Sequence, residues 1–171
     1  VYLWGAPVEL RGQDRLRALR DRATNHRLLS AFDLSPEMMD RHLATLRRFR
    51  PRHLFGYPSS LARLVAHAHE RGVVPPESLR AVFVTGEVLD PRDRTTLAAY
   101  FGVPVADGYG SREAGFIAHE CSQGGMHITA ENVIVEIVRN GQSAPPGETG
   151  EIVVTHLDAY AMPFIRYRTG D

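Results

Sequence analysis

The fold is decided by the stretch AVFVTGE at residues 81–87, a continuous run of apolar and β-branched residues that ends in a glycine and a carboxylate. A run of this kind is typical of a strand buried on both faces, as in a parallel sheet. Similar short runs stand at residues 53–57 (HLFGY) and 103–107 (VPVAD), and helical patterns separate the three. This alternation predicts a parallel β-α-β layer with right-handed crossovers.

The predicted helices have recognisable starts and ends. They begin at Ser35-Pro36, at Ser59 or Ser60, and at Asp90-Pro91, because a hydroxyl or carboxylate caps free amides and proline needs no partner in the first turn. An earlier, arginine-rich helix is predicted within residues 11–27. Its charges favour a solvated helix face, with binding of a polyanion as the alternative.

The second half of the chain has a different pattern. Runs at residues 116–120, 126–138, 150–156 and 163–167 predict strands, with turn signals at Asn140-Gly141 and at Pro145-Pro146-Gly147. No helical pattern interrupts them, so the sheet here is expected to be mostly antiparallel. We therefore predict an α/β fold in which residues 1–112 form the parallel part and residues 113–171 the mainly antiparallel part.

The ends of the predicted parallel strands are candidates for a binding site. In open parallel sheets, ligands bind beyond the carboxyl ends of the strands. The three strands run into GYP at 56–58, TGE at 85–87 and DGYG at 107–110, which offer close backbone approach, ring faces and carboxylates. We expect one rim that carries Tyr57, Gly86, Glu87, Asp107, Tyr109 and Glu113. The alternative is that Glu87 and Asp107 cap turns and that Tyr109 belongs to the core.

Composition excludes several classes of function. The 171 residues have a formal net charge of +0, which gives no reason to expect nucleic acid or an anionic membrane as a partner. All 20 basic residues counted as Lys or Arg are arginines. Without lysine, the chain contains no Walker A loop, no Schiff-base lysine and no Ser-Lys pair.

The cysteine count, the apolar runs and the two ends of the sequence bear on the cellular compartment and on whether the chain is part of a longer protein. Cys121 is the single cysteine, which excludes an internal disulfide and fits a cytoplasmic protein. No apolar run approaches the ~20 residues that span a membrane. The chain starts at Val1 rather than Met and stops at Asp171 directly after an apolar stretch. We expect a fragment of a longer protein.

Four ordered blocks of sequence carry a family resemblance: DGYGSRE at 107–113, GGMHITAE at 124–131, GETGEIVVT at 147–155 and MPFIRYRTGD at 162–171. Together they resemble adenylate-forming enzymes, and most closely the phenylacetate–coenzyme A ligase family with its capsule-biosynthesis relatives. The resemblance covers most of residues 53–171. It implies that the chain is part of the large N-terminal domain of such an enzyme.

The resemblance also implies an activity. Enzymes of this family activate a carboxylic acid with MgATP to an acyl-adenylate, release pyrophosphate, and usually pass the acyl group to coenzyme A. The implied cofactors are therefore ATP or AMP, Mg²⁺ and coenzyme A. The implied partners are a small carboxylic acid and coenzyme A or another acyl acceptor. Oligomeric state and the identity of the acid are not encoded visibly.

The roles of individual residues follow by position in the family's motifs. Tyr109 resembles the ring that stacks on adenine, Asp171 the carboxylate that holds the ribose hydroxyls, and Glu113 the carboxylate that binds Mg²⁺. The expected nucleotide-binding set is Gly86, Glu87, Asp107, Gly108, Tyr109, Gly110, Ser111 and Asp171. The expected acyl pocket is formed by Phe55, Tyr57 and Gly86.

The sequence departs from the family pattern in three ways. Arg112 stands where most members have Ser or Thr beside the α-phosphate. A guanidinium there is expected to donate two hydrogen bonds to phosphate and to assist catalysis together with Glu113. The alternative is a solvated surface arginine. The Ser/Thr/Gly-rich phosphate loop and the C-terminal domain with its catalytic lysine are absent from the chain. We expect this fragment alone to be inactive.

Other readings of the sequence stay open. His119, Cys121 and His127 are candidate zinc ligands, although one cysteine is short of a typical structural site and they are equally ordinary strand and turn residues. The parent protein is expected to be a ligase. An adenylating enzyme with an acceptor other than coenzyme A, or a non-catalytic nucleotide-binding or assembly module, is the alternative.

Overall fold

The computed structural model describes residues 1–5, 19–21 and 23–171. The chain divides into an N-terminal unit, Val1–Asp107, and a C-terminal unit, Gly108–Asp171. The sequence prediction had placed the change between residues 112 and 113, somewhat later in the chain. The start of the arginine-rich helix predicted for residues 11–27 lies outside the described residues, and residues 19–21 and 23 are helical.

The N-terminal unit is a parallel sheet with helices between its strands. Its elements are β1 (Tyr2–Trp4), β2 (Leu28–Ser30), α1 (Pro36–Phe49), β3 (His53–Gly56), α2 (Pro58–Glu70), β4 (Ala81–Thr85) and α3 (Pro91–Phe101). The strands are ordered β2-β1-β3-β4, and every pairing among them is parallel. The predicted parallel α/β layer is confirmed. Strands β1 and β2 escaped prediction because three residues are too few to show a pattern.

The core of this unit explains the apolar strands. Leu3, Leu54, Val82 and Val84 are at most 1% exposed and lie in one cluster with leucines from α1, α2 and α3. In the register of β3 and β4, Leu54 is paired with Val82 and Gly56 with Val84. Tyr57 and Gly86 therefore leave the sheet at the same edge.

The helix starts agree with the sequence in part. Helices α1, α2 and α3 have proline in their first turns, and the Asp90 side chain accepts a hydrogen bond from the Arg92 amide at 2.7 Å, as predicted. Helix α2 begins earlier than predicted, with Tyr57 rather than Ser59 or Ser60 as its N-cap. Ser35 occupies the N-cap of α1, but its side chain makes no capping hydrogen bond among the described residues.

The C-terminal unit is antiparallel, as the turn-rich pattern predicted. Strand β5 (Val105–Ser111) crosses the boundary, and β6 (Gly115–Glu120), β7 (Met126–Ile128), β8 (Val133–Arg139), β9 (Gln142–Ser143), β10 (Glu151–His156) and β11 (Tyr167–Arg168) follow. Strand β6 pairs with β5 and β7, and a second sheet has the order β11-β10-β8-β9. A small core of Ala114, Ile117, Val133 and Val154 underlies it.

Three strand boundaries differ from the prediction. The run 126–138 is broken into β7 and β8 by a turn in which the Asn132 amide donates to the Thr129 carbonyl at 3.0 Å. In place of the strand predicted for 163–167, the structure has a two-residue strand, Tyr167–Arg168, which overlaps the prediction only at Tyr167. The motif at 107–110, predicted to follow a strand, lies inside β5 because Gly108 and Tyr109 pair with β6.

The turn signal at Asn140-Gly141 is confirmed. Both residues have positive φ angles, 53° and 79°, and they join β8 to β9 in a tight hairpin. Positive φ at both central positions is what Asn-Gly tolerates and other pairs resist. Among the described residues, none of the helices is long and apolar enough to cross a membrane.

Candidate active site

Two aromatic rings meet at the carboxyl-end edge of the parallel sheet in the N-terminal unit. The Trp4 ring, at the end of β1, stacks on the Tyr57 ring, which follows β3, with centroids 4.1 Å apart and planes at 15°. Gly86 follows β4 with a φ of +82°, and a Cβ there would lie 2.9 Å from Cε1 of Tyr57. Glycine at 86 is therefore required both by the backbone and by the adjacent ring.

Phe55 belongs to the same face of the sheet. Its ring centroid is 5.4 Å from that of Trp4 and 5.3 Å from that of Tyr2. Phe55, Tyr57 and Trp4 are all half-buried. The structure thus brings together Phe55, Tyr57 and Gly86, the three residues predicted for the acyl pocket, and adds Trp4 to them.

Glu87 has a partner within the same unit. Its Oε2 accepts a hydrogen bond from the Ser59 amide in the first turn of α2, at 3.1 Å. The first amides of a helix lack partners within the helix, so this carboxylate satisfies one of them. Glu87 therefore holds the start of α2. The sequence offered a different structural role for Glu87, the capping of a turn, as the alternative to ligand binding.

The predicted catalytic pair lies in the turn between β5 and β6 of the C-terminal unit. Arg112 is exposed, and Glu113 is half-buried. The turn is closed by the Ala114 amide, which donates to Ser111 Oγ at 3.1 Å. A Cβ at Gly110 would lie 2.4 Å from the Gly115 carbonyl oxygen, so the close approach of the two strands requires glycine at 110.

Tyr109 and Asp171, the residues predicted to take adenine and ribose, are joined directly. The Tyr109 hydroxyl donates to Oδ2 of Asp171 at 2.6 Å, across 62 residues of sequence. Burial raises the pKa of the Tyr109 phenol, the hydrogen bond to Asp171 raises it further, and a contact with Thr169 acts in the opposite direction. The phenol is thus a protonated donor at neutral pH.

The chain around Asp171 is tied to β10. The Ile152 amide donates to the Asp171 carbonyl at 3.1 Å, and the Thr169 amide donates to the Ile152 carbonyl at 3.1 Å. The Asp171 amide donates to Thr169 Oγ1 at 3.2 Å. Thr169 was not anticipated as a site residue, and no signal in the sequence distinguishes it from the other threonines of the chain.

The other predicted nucleotide-binding residues are parts of β5. Gly108 is buried and paired with His119, Asp107 is half-buried, and Ser111 closes the turn with its hydroxyl. Trp4 is the further candidate that the sequence reasoning missed. The available signal was an aromatic residue followed by glycine at 4–5, the same order as Phe55-Gly56 at the end of β3.

The candidate zinc ligands do not make a metal centre. His119 is paired with His127 across β6 and β7, but its ring leans against Phe116 with centroids 4.7 Å apart. In the described residues, no group of three or more His, Cys, Asp or Glu side chains could hold a metal ion. Cys121 instead accepts a hydrogen bond from the Gln123 amide at 3.3 Å, which lowers the pKa of its thiol.

The chain matches a known class of protein. The model of the AMP-binding enzyme family matches residues 26–158, and the chain belongs to that family. The resemblance drawn from the four sequence blocks is confirmed, as is the mixed α/β fold.

Two curated relatives are similar to most of the chain. The chain is 30% identical over 150 residues to phenylacetate-coenzyme A ligase of Thermus thermophilus, an alignment that covers 84% of this chain and 34% of that protein. It is 24% identical over 147 residues to protein CapK of Staphylococcus aureus, with coverage of 86% and 32%. The chain thus spans about a third of the length of the curated relatives it matches.

Solved structures show the same fold. 2-Hydroxyisobutyryl-CoA ligase, crystallised in an open conformation with 2-HIB-AMP and CoA, matches with a TM-score of 0.77 at 22% identity, over 99% of this chain and 39% of that one. The amide bond synthetase McbA from Marinactinospora thermotolerans matches with a TM-score of 0.63 at 27% identity, over 91% and 32%.

Proposed function

We propose that this chain is the central part of a longer enzyme that activates a carboxylic acid with MgATP to an acyl-adenylate and then forms a coenzyme A thioester. The observation that carries the proposal is the hydrogen bond from Tyr109 to Asp171. It joins an aromatic face to a carboxylate with free lone pairs, which is the combination that adenine and a ribose diol need. Membership of the AMP-binding family supports the same assignment.

The chemistry assigned to the C-terminal unit is electrostatic. One oxygen of the acid attacks the α-phosphorus of ATP, and the bond from that phosphorus to the bridging oxygen breaks to release pyrophosphate. Arg112, exposed in the β5–β6 turn, is free to reach phosphate oxygens in this reaction. Glu113 would hold Mg²⁺, which is commonly bound by one or two carboxylates together with phosphate oxygens and water. The metal would offset charge on the phosphates.

The aromatic wall of the N-terminal unit indicates the kind of acid. Trp4, Phe55 and Tyr57 form a cluster of aromatic rings, and Gly86 lets the backbone approach the edge of the Tyr57 ring closely. Such a wall favours an aryl or medium-sized apolar acid over a small polar one. The relatives named for phenylacetate and coenzyme A are consistent with this choice.

The experiment is acid-dependent ATP–pyrophosphate exchange by the full-length protein that contains this chain, over a panel of aryl, acyl and amino acids. We expect exchange with one class of acid and its loss in Glu113→Gln and Asp171→Ala. Glu148→Gln is the matched control, because Glu148 is an exposed acid of the same unit that pairs with Arg139 at 3.0 Å. ATP binding without exchange for any acid would favour a non-catalytic nucleotide-binding module.

A further inference from the structure

We propose that the Tyr109 hydroxyl is a positioning group that holds the Asp171 carboxylate in the orientation needed to accept the hydroxyls of a ribose. The inference rests on the proposed function and deepens it. It separates two contributions of one side chain, because the ring of Tyr109 would contact adenine, whereas its hydroxyl would act on the ribose only through Asp171.

The main chain of Asp171 is already fixed without Tyr109. The carbonyl of Asp171 accepts from the Ile152 amide at 3.1 Å, and its amide donates to Thr169 Oγ1 at 3.2 Å. Thr169 Oγ1 itself donates to the Ile152 carbonyl at 2.9 Å. These bonds leave the side-chain torsions of Asp171 undetermined, and the residue is exposed to solvent.

Tyr109 supplies the missing restraint. Its ring packs against the small core that contains Ile117 and Val133, so the position of its hydroxyl is set by the core rather than by solvent. From that position the hydroxyl donates to Oδ2 of Asp171 at 2.6 Å. A hydrogen bond to a charged acceptor is among the stronger ones in proteins.

The carboxylate keeps enough acceptor capacity for a ligand. An ionised aspartate has about four lone-pair sites on its two oxygens, and Tyr109 occupies one. Oδ1 and the second lone pair of Oδ2 remain for two vicinal hydroxyls. A carboxylate held in advance binds a diol more tightly than one that must be ordered on binding, since the entropy is lost before the ligand arrives.

The test compares two nucleotides in the full-length protein. Equilibrium dissociation constants for ATP and for 2′,3′-dideoxyATP are measured in the wild type, Tyr109→Phe, Asp171→Asn and the double variant. Phenylalanine keeps the ring and removes only the hydroxyl. We expect Tyr109→Phe to weaken ATP about tenfold and to leave the dideoxy nucleotide within about twofold of wild type. In the double variant, the second substitution should add little to the first.

Tyr100→Phe is the matched control. It removes a tyrosine hydroxyl that donates to the Val73 carbonyl at 2.9 Å in the N-terminal unit, so it reports the general effect of losing such a bond. It should change neither dissociation constant. Saturating ATP should also restore the rate of pyrophosphate exchange in Tyr109→Phe, because positioning of ribose affects KM for ATP more than kcat.

Each contrary outcome overturns the inference in a distinguishable way. Equal weakening of both nucleotides in Tyr109→Phe would show that the variant disturbs stacking or structure, and no weakening of either would show that the hydroxyl is dispensable. In both cases the proposed function would stand. A wild-type protein that binds neither nucleotide would overturn the proposed function as well.

Discussion

The Ser59 amide donates to Oε2 of Glu87 at 3.1 Å, so a carboxylate that follows β4 holds the first turn of α2. The N-cap of that helix is Tyr57, whose ring stacks on Trp4. Glu87, 28 positions from Ser59 in the sequence, therefore helps to position Tyr57, one of the three rings of the aromatic wall. This relationship gives Glu87 a structural role that can be measured apart from any ligand.

Glu87→Ala should lower the free energy of unfolding of the N-terminal unit by about 1 kcal/mol, because it leaves a first-turn amide without its acceptor. Glu87→Gln should lower it by less, since the amide oxygen of glutamine still accepts. Chemical denaturation followed by far-UV circular dichroism measures both. Equal losses of unfolding free energy in the two variants would mean that the charge of Glu87, rather than its hydrogen bond, stabilises the unit.

Gly86→Ala should destabilise the same unit by about 2 kcal/mol, since it combines a positive φ with a methyl group 2.9 Å from the Tyr57 ring. Trp4 stacks on the same ring, so its contribution to the fluorescence, taken as the difference from a Trp4→Phe variant, should report the displaced stack. Gly72→Ala is the control, with a φ of +62° and open space around the Cβ. It should lose stability without a change in the Trp4 spectrum; an unchanged spectrum in Gly86→Ala would contradict the packing described.

Gly110→Ala should destabilise the C-terminal unit by about 3 kcal/mol, because the new Cβ would lie 2.4 Å from the Gly115 carbonyl oxygen and backbone must move. Gly124→Ala, at a φ of +79° with open space, should lose only about 1 kcal/mol. Thermal or chemical unfolding distinguishes them. Similar losses in both variants would show that the β5–β6 turn tolerates a side chain.

The pH dependence of the second sheet should depend on Glu151. The Arg168 guanidinium donates to Glu151 through Nε at 2.7 Å, and this hydrogen bond holds the pKa of Glu151 below its ordinary value of 4.5. A carboxyl whose pKa is lowered on folding contributes stability above the ordinary pKa and loses it as pH falls through the folded value. NMR titration of Glu151 should show its pKa returning towards the ordinary value in Arg168→Gln. An unchanged pKa in that variant would exclude the ion pair as the cause.

The sequence predicted the architecture well where patterns are long. The apolar run at 81–85 and the helices opened by Pro36 and Pro91 appear as expected, and the Asn140-Gly141 turn appears because few residues tolerate two positive φ angles. The three-residue strands β1 and β2 were missed, since alternation cannot be read over so short a span. The turn that splits 126–138 was missed because Thr129–Asn132 contains neither glycine nor proline.

The candidate site was only partly accessible to sequence reasoning. The resemblance to the family's motifs pointed to Tyr109 and Asp171, but their hydrogen bond depends on how β10 and the residues around Asp171 are paired, which no local pattern encodes. Trp4 was missed because it is a site candidate only through its stack on Tyr57. The two residues are 53 positions apart in the sequence, so no local pattern shows the contact. The zinc trio was predicted from spacing alone; the His119 ring contacts Phe116, and the described residues contain no group of three or more ligands that could hold a metal ion.

The most direct test of acyl-adenylate formation follows an oxygen atom. The full-length protein is supplied with ATP, coenzyme A and an acid accepted in the exchange assay, labelled with a heavy oxygen isotope in its carboxylate. If the carboxylate attacks the α-phosphorus, the released AMP must carry one labelled oxygen, and pyrophosphate must carry none. Label in inorganic phosphate, with ADP as the nucleotide product, would show attack at the γ-phosphorus and would contradict the account.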